Sequence, residues 1–456
     1  MKKALIFRGK RIFRVGFFGL GSSNSALLDY LSREYDGLSF VLRSDKQIKC
    51  PDIFSKALYE ADAREDICED VLFLSPSVRR DAPELIAAAA RGVILSSDVE
   101  FFFEKRDIKV FSVTGSDGKS TTSTLASLMM SGGDGSFPAS ANIGLPLSVL
   151  LGRSELSGTV AELSSFQLMN FMPKSERALI TNVSENHLDW HRSYDEYASA
   201  KENVLRLADK RIFNLDCPTN LALTKKYPAY AVYSREIGYE KMRGTVSANH
   251  YFSVENDCVS VSGIPIFKRE RIKLTGKHNL SNFLAAMALT WELAKIPDVI
   301  KTAETFTGLS HRARAVASYD GICFCDSSID STPTRTRTTL SSISSPIILI
   351  LGGRGKKLSY SPLSQIPENV RAIILTGENR FEIESELLTR DSAHAALIPI
   401  YSAESFSDAV LLAIKNARRG DTVLLSPAST SFDSFSDYKE RGNAFSDIIK
   451  NYYAEK

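Results

Sequence analysis

Short apolar runs recur along the chain, each closing in a turn rich in glycine, serine or threonine and followed by residues with helical periodicity, the pattern of a parallel α/β sheet. Ile12 to Phe18 reads as the first strand. It feeds Gly19-Leu20-Gly21-Ser22-Ser23-Asn24-Ser25 and a helix from Ala26 to Leu31, a phosphate-friendly entrance in which Asn24 stands where a dinucleotide fingerprint has its third glycine. Strands Leu38 to Leu42 and Asp70 to Leu74 and the alanine-rich helix Pro83 to Arg91 continue the alternation. Val110 to Val113 is followed by Thr114-Gly115-Ser116-Asp117-Gly118-Lys119-Ser120-Thr121-Thr122 and a helix to Met130. Gly158 to Ala161 ends at Glu162, and Ala178 to Val183 runs into Glu185, His187 and Asp189. Ser193-Tyr194-Asp195-Glu196 is a capping-box pattern and predicts a helix to about Leu207, with Tyr197, Ala200, Val204 and Leu207 as its apolar stripe. Another helix is expected over Phe283 to Ala294. Strands Ile322 to Cys325, Ile347 to Leu351, Ala372 to Leu375 and Thr422 to Leu425 then repeat the parallel pattern, each ending in polar or basic residues.

At 456 residues the chain exceeds a single core, and ordinary domain size predicts about three domains. The pattern divides at hinges near 105 and 309, giving domains 1–105, 106–309 and 310–456. With 56 basic and 54 acidic residues the net charge is +2, so no bulk field marks a nucleic-acid or membrane partner. The N-terminal apolar residues are interrupted by Arg8 and Lys10, and no run reaches membrane-spanning length, so a cytoplasmic protein without membrane insertion is expected. Cys50, Cys68, Cys217, Cys258, Cys323 and Cys325 form no CxxC pair and read as reduced thiols.

The turn from Gly115 to Thr121 carries the chemistry. A strand entering a glycine-rich turn that opens a helix gathers free backbone N–H groups and the positive end of a helix dipole, which suits a polyphosphate. Lys119 adds a mobile cation, and Ser120 or Thr121 a hydroxyl for Mg²⁺, although the loop is shorter than the common phosphate loop. Ligands of open α/β sheets sit outside the carboxyl ends of strands, so the loop, Glu162 and His187 should converge on one Mg-ATP crevice. Asn279 and Asn282 share a helical face on which two amides could grip a nucleotide, while Asn279 alone is as well explained as a cap. Lys201 lies on the apolar stripe of its helix. It either points inward, where burial would favour a neutral amine able to react with CO₂, or packs its stem and snorkels to water.

The stretches Thr114 to Thr122, Asn142-Ile143-Gly144-Leu145-Pro146, Glu162 to Leu168, Thr181 to His187, Lys201, Gly276 to Asn282, His311-Arg312 and Leu425 to Asn443, in this order, resemble the Mur ligase family of peptidoglycan synthesis. Glu162-Leu163-Ser164-Ser165-Phe166-Gln167-Leu168 and Ser426-Pro427-Ala428 point to its D-glutamate-adding members. The resemblance implies a Rossmann-like N-terminal domain for a UDP-sugar, a central P-loop-type ATPase domain and a Rossmann-like C-terminal domain for the amino acid. It implies a monomeric, cytoplasmic ATP-dependent amide ligase of cell wall biogenesis. That enzyme would add D-glutamate to UDP-N-acetylmuramoyl-L-alanine through an acyl phosphate.

By position, Lys119, Glu162, His187 and Lys201 take the family's catalytic places. Ser120 and Glu162 would hold one Mg²⁺, and His187 with a carbamylated Lys201 a second. Gly115, Ser116, Asp117, Gly118, Lys119, Ser120, Thr121, Asn279, Asn282, Arg312 and Asp326 would bind the nucleotide. Ser22, Ser23 and Asn142 would face the UDP substrate, and Lys356, Ser431 and Tyr438 the D-glutamate. Asp117 and Asn186 depart from the family's usual Asn and Asp, and Arg43-Ser44-Asp45 departs from its uracil contacts. The loop after Asp326 lacks a lysine found in some relatives. Folylpolyglutamate synthase, other Mur ligases and a nucleotide-binding regulatory protein without ligase activity are the competing readings.

Overall fold

The computed structural model describes residues 3–44, 58–62, 67–188, 190–274, 276–355, 359–363, 366–388 and 398–455. The chain forms two compact units, Met1–Phe306 and Thr307–Lys456.

The first unit carries two large sheets. In the N-terminal five-stranded sheet the order is Leu58–Asp62, Ser39–Ser44, Arg14–Phe18, Val71–Leu74, Ile94–Ser96, all parallel. The chain enters in the middle and winds outward in both directions, so the turn Gly19–Gly21 opens at a topological switch point. The entry strand starts at Arg14 and not at Ile12, because a small antiparallel hairpin, Ile6–Phe7 with Lys10–Arg11, precedes it and Ile12 N–H donates to Leu5 O. The following helix spans Ser22–Glu34, longer at both ends than expected, with Gly21 as its N-cap. Asn24, the residue that departs from the fingerprint, is buried and ties the turn down by donating to Gly19 O at 2.8 Å.

The central nine-stranded sheet repeats the device. Strand Lys109–Thr114 lies between Gly158–Glu162 and Arg177–Ile180, parallel to both, with Ala139–Ala141 beyond the first and Lys210–Asn214 and Ala229–Tyr233 beyond the second. The strands Ala248–Glu255, Cys258–Val261 and Ile264–Lys268 extend the far edge through two antiparallel pairings absent from the sequence expectation. Val110, Phe111 and Val113 have no exposed surface, as expected of parallel strands covered on both faces. Phe111, Val113 and Leu179 pack with Leu125, Met129, Phe283 and Met287 of the helices Lys119–Ser131 and Lys277–Thr290. Val110, Ala178 and Ile180 pack with Val204 and Leu205 of the helix Tyr194–Arg206, in a core that runs on into Val15, Phe17 and Phe73 of the N-terminal sheet and Phe101 of the helix Asp98–Lys105.

The second unit is a six-stranded sheet ordered Arg314–Tyr319, Ile322–Asp326, Thr422–Leu425, Ile347–Gly352, Val370–Thr376, Ile400–Ser402. Its pairings are parallel except at the Arg314–Tyr319 edge, which is antiparallel. Among the described residues, no helix is long and apolar enough to cross a membrane, and five cysteines are free thiols.

Candidate active site

Strand Lys109–Thr114 delivers the glycine-rich turn to the switch point of the central sheet. Gly115 and Gly118 have φ of 148° and 79°. A Cβ at Gly115 would stand 1.9 Å from Thr181 Oγ1, and one at Gly118 would stand 2.2 Å from Asn282 Oδ1, so both conformation and space demand glycine. Neighbouring side chains fix the turn. Thr181 Oγ1 donates to Asp117 O at 2.5 Å, Asp117 N–H donates to Asn182 Oδ1 at 3.0 Å, and Ser116 Oγ lies 2.7 Å from Tyr197 Oη. The helix Lys119–Ser131 starts at Gly118 with no side-chain cap, leaving its first N–H groups and positive dipole end at the loop. Asp117 is exposed at the loop tip.

Two lysines meet at one carbonyl. Lys119 Nζ donates to Gly115 O at 2.9 Å and to Ser116 O at 2.8 Å, and Lys201 Nζ donates to Gly115 O at 2.8 Å. Lys201 is 2% exposed, which decides the sequence alternative in favour of an inward-pointing side chain. Burial, then the like charge of Lys119, holds its amine well below the ordinary lysine range, while Asp117 and Glu162 pull the other way. Its helix begins as expected, with Ser193 Oγ accepting from Glu196 N–H at 3.1 Å. Glu196 does not complete the box; its Oε2 accepts instead from Arg192 N–H at 2.8 Å.

Glu162 closes the opposite side. It is buried at its strand end, Oε1 accepts from Asn142 Nδ2 at 3.0 Å, and Oε2 has no hydrogen-bond partner. A buried carboxylate oxygen left in this state is costly unless a cation meets it. Glu162 and the half-buried Ser120 hydroxyl are the oxygen donors Mg²⁺ prefers, so the donor set fits that ion. Among the described residues no group of three or more His, Cys, Asp and Glu side chains could hold a metal. His187 sits exposed on a turn at φ 56°, its N–H donating to Asn186 Oδ1 at 2.9 Å and its ring 5.0 Å from that of Phe166. Asn186 thus supports the turn by its side-chain oxygen. Asp189 lies outside the described residues.

The helix Lys277–Thr290 starts earlier than expected, at Gly276, so Asn279 is within it and is not its N-cap. Asn282 Nδ2 donates to Asn279 Oδ1 at 3.1 Å, which places both amides on the face turned to Gly118. Asn142 is exposed beside Glu162, and Thr121 is buried in the first turn of the loop helix. Ser22 and Ser23 open the helix at the switch point of the N-terminal sheet. Close to Ser23, Asp98 is pushed up to about 6 by burial. Arg43 is buried against Glu69 at 2.9 Å, whereas Asp45 lies outside the described residues.

In the second unit, Asp326 Oδ2 lies 2.6 Å from His311 Nδ1 and Oδ1 accepts from Ser328 N–H at 2.8 Å. Tyr438 opens the helix Tyr438–Ala454 with its ring 6.0 Å from that of His311. Gly442 passes so close that a Cβ would meet His311 Nδ1 at 2.2 Å. Arg312 is half-buried beside this cluster in sequence, and Ser431 is buried at the end of the Ser426–Ser431 segment. Lys356 lies outside the described residues.

Sequence reasoning missed Arg79, Trp190 and His191, and read Glu196 only as a cap. Arg79 donates to Glu196 Oε1 at 3.0 Å and lies 4.9 Å from the Trp190 ring, while His191 is buried with Nε2 2.9 Å from Ser165 Oγ. The one available signal was two aromatic residues, Trp190 and His191, in an otherwise polar turn.

Parallel sheets with ligand-ready turns at their switch points, a glycine-rich loop opening a helix, and paired lysines facing an unpartnered carboxylate oxygen define the class, a phosphate-loop α/β protein. Residues 113–290 match the Mur ligase middle domain, and residues 311–429 match the Mur ligase glutamate ligase domain. A UDP-N-acetylmuramoylalanine–D-glutamate ligase of Acetivibrio thermocellus is 36% identical over 97% of both chains. One of Clostridium novyi is 37% identical over 84% of this chain and 83% of its own. The chain belongs to the Mur ligase family. The solved structure of the UDP-N-acetylmuramate–alanine ligase MurC of Thermotoga maritima shares the fold, with a TM-score of 0.60 and 19% identity over 97% of this chain and 100% of that one.

Proposed function

We propose that this protein is an ATP-dependent ligase that joins D-glutamate to UDP-N-acetylmuramoyl-L-alanine in cytoplasmic peptidoglycan precursor synthesis. The family membership supports the reaction class, and the identity to relatives named for this reaction supports the substrates. The observation that carries the site is the meeting of Lys119 and Lys201 on Gly115 O. Residues 1–105 would take the UDP substrate, 106–309 the ATP and 310–456 the amino acid.

In the first step the substrate's L-alanine carboxylate oxygen bonds to the γ-phosphorus and ADP leaves. In the second, the D-glutamate amine attacks the acyl phosphate carbonyl, phosphate leaves, and the nitrogen loses a proton to give the amide. A carboxylate is a poor acylating agent, and phosphoryl transfer asks mainly for positioning and charge neutralisation. Lys119 supplies a cation and the N–H groups at the start of the helix Lys119–Ser131 donate to phosphate oxygens, those of Ser116 and Asp117 being held by Asn182. Asn279 and Asn282 orient the nucleotide, with Arg312 and Asp326 assigned to it by family position. Asn142, held by Glu162, faces the substrate with Ser22 and Ser23, while Ser431, Tyr438 and Lys356 are assigned to D-glutamate. Ser120 and Glu162 would hold one Mg²⁺ and His187 with Lys201 a second. When bound, these ions supply charge neutralisation for the transferring phosphoryl group.

An ammonium at Lys201 would repel a cation. Its depressed pKa favours the neutral amine, whose nitrogen can add to CO₂ and lose a proton, becoming an anionic oxygen donor. The reading predicts that multiple-turnover ADP release requires both UDP-N-acetylmuramoyl-L-alanine and D-glutamate. Lys119→Ala should abolish that turnover while leaving the melting temperature within a degree or two, because a single loop cation carries little packing; ordinary ADP release from this variant would refute the site. Lys201→Ala should lose activity and regain part of it with added short carboxylates, and full activity without them would exclude the carbamate.

A further inference from the structure

The loop that follows strand Val71–Leu74 of the N-terminal sheet is tied to the central site by an ion-paired bridge. Arg79 Nη2 donates to Glu196 Oε1 at 3.0 Å and Nη1 to Glu196 Oε2 at 3.1 Å, a bidentate geometry, and Nη1 also donates to Trp190 O at 3.0 Å. From the same loop, Ser77 O accepts from Trp190 Nε1 at 2.8 Å. Asp81 holds the other edge of the Arg79 guanidinium at 2.8 Å.

The partners lead on to Lys201, His187 and Glu162, three of the four residues read as metal-facing. Glu196 lies in the first turn of the helix that carries Lys201. Trp190 and His191 donate their backbone N–H groups to His187 O at 3.1 and 2.9 Å, closing the turn on which that imidazole sits. His191 Nδ1 stands 3.4 Å from Glu196 Oε2, and its Nε2 lies 2.9 Å from Ser165 Oγ, at the start of the short helix that follows Glu162. Phe166 fills the middle, its ring 4.5 Å from Trp190 and 5.6 Å from His191. The side chains of Arg79 and Glu196 are 21% and 19% exposed, sheltered enough for the pair to hold a geometry that a surface ion pair would not.

We propose that Arg79 and Glu196, acting through Trp190 and His191, are positioning residues that set Lys201, His187 and Glu162 at the spacing a divalent cation requires, and that they couple this spacing to the loop of the N-terminal sheet. The inference rests on the metal reading of the preceding subsection. Neither residue is among those assigned to substrate or metal. Outer partners that orient ligands change metal affinity or activity by about 10- to 100-fold when removed.

The test is binding of Mn²⁺ to the full chain with a non-hydrolysable ATP analogue, followed by electron paramagnetic resonance, for wild type, Arg79→Met, Glu196→Gln and the double variant. Arg79→Met keeps the stem over Trp190 and Glu196→Gln keeps the volume, so the fold is retained. Each single variant should weaken Mn²⁺ binding about tenfold, with the double variant no weaker than the worse single, because both break one bridge. The KM for D-glutamate should not move. Arg106→Ala is the control. It removes an ion pair to Glu176 at 3.0 Å at the same junction between the sheets, with no connection to the metal-facing turn, and should bind Mn²⁺ as wild type does. Titrations of the Arg79 and Glu196 variants that overlay wild type, or an equal loss in Arg106→Ala, would overturn the bridge. Failure of wild type itself to bind Mn²⁺ with the analogue would instead overturn the metal reading, and the bridge would fall with it.

Discussion

Lys201 and Asp98 are both charged residue types held where water cannot reach them, and their environments push them in opposite chemical directions. Lys201 is buried among a carbonyl, a tyrosine face and a second lysine, and burial, then the like charge of Lys119, holds its amine well below the ordinary lysine range. Asp98 opens the helix Asp98–Lys105 at 1% exposure with neither carboxylate oxygen hydrogen-bonded, and burial raises its pKa from 3.8 to about 6. The folded pKa lies above the unfolded one, so the carboxyl's contribution to stability is complete below the unfolded value of 3.8 and is lost as pH rises through about 6. A shift of this size corresponds to about 3 kcal/mol. Asp98→Asn should therefore melt several degrees above wild type at pH 8, with the gain fading to nothing by pH 4. A pH-independent difference between the two melting curves would show that the carboxylate is not the cause.

The elements written in contiguous residues were the legible ones. The loop Gly115–Thr121 could be read because strand, glycines, lysine and hydroxyls follow one another, and the helix Tyr194–Arg206 because its cap and most of its stripe are local; Tyr197, Ala200 and Val204 are buried, whereas Leu207, expected to extend the stripe, is the C-cap and is exposed. The edge strands Ala248–Glu255 to Ile264–Lys268 were not, since their short runs of mixed character owe their pairing to neighbours and not to propensity. The Arg79–Glu196 bridge spans 117 positions, and no local pattern encodes a partner at that distance. Boundaries slipped wherever glycine set them, as at Gly21 and Gly276, which start helices earlier than the apolar periodicity suggests. The loop's own glycines give a sharper test. Gly118→Ala forces a methyl against Asn282 Oδ1 and a side chain into φ 79°, so binding of an ATP analogue should weaken at least tenfold. Adding Asn282→Ala removes the clash but not the backbone strain, which alone costs about 1 kcal/mol, so titration calorimetry should find the double variant weaker than Asn282→Ala alone. Equal affinity of the double variant and Asn282→Ala would show that space alone had demanded glycine.

At the scale of the whole chain, contacts group the residues into two compact units, the first of which holds both the N-terminal and the central sheet. The sequence pattern suggests hinges near 105 and 309, and the contacts divide the molecule between Phe306 and Thr307. Around residue 105, Phe17 and Phe73 of the N-terminal sheet and Phe101 of the helix Asp98–Lys105 share one buried cluster with Ala178 of the central sheet and with Leu147 and Val204 beside it. Arg79 with Glu196 and Arg106 with Glu176 add ion pairs across the same junction. A sheet that buries its apolar face against its neighbour cannot lose that neighbour without exposing the face, so the two should unfold together. The second unit has apolar clusters of its own, built on Leu349, Ile373 and Leu424 and on Ile348, Ile350 and Phe445. Scanning calorimetry of the full chain should accordingly resolve two transitions, with the larger enthalpy belonging to the 306-residue unit, since unfolding enthalpy scales with the residues that melt. An ATP analogue with Mg²⁺ and a UDP-N-acetylmuramoyl ligand are both assigned to that unit, so each should raise the same transition. A ligand at 100 times its dissociation constant adds about 2.7 kcal/mol. Arg79→Met should leave a single transition for this unit, because the shared apolar cluster outweighs one ion pair. Three transitions in wild type, or a UDP ligand and a nucleotide that shift different ones, would show that residues 1–105 fold on their own.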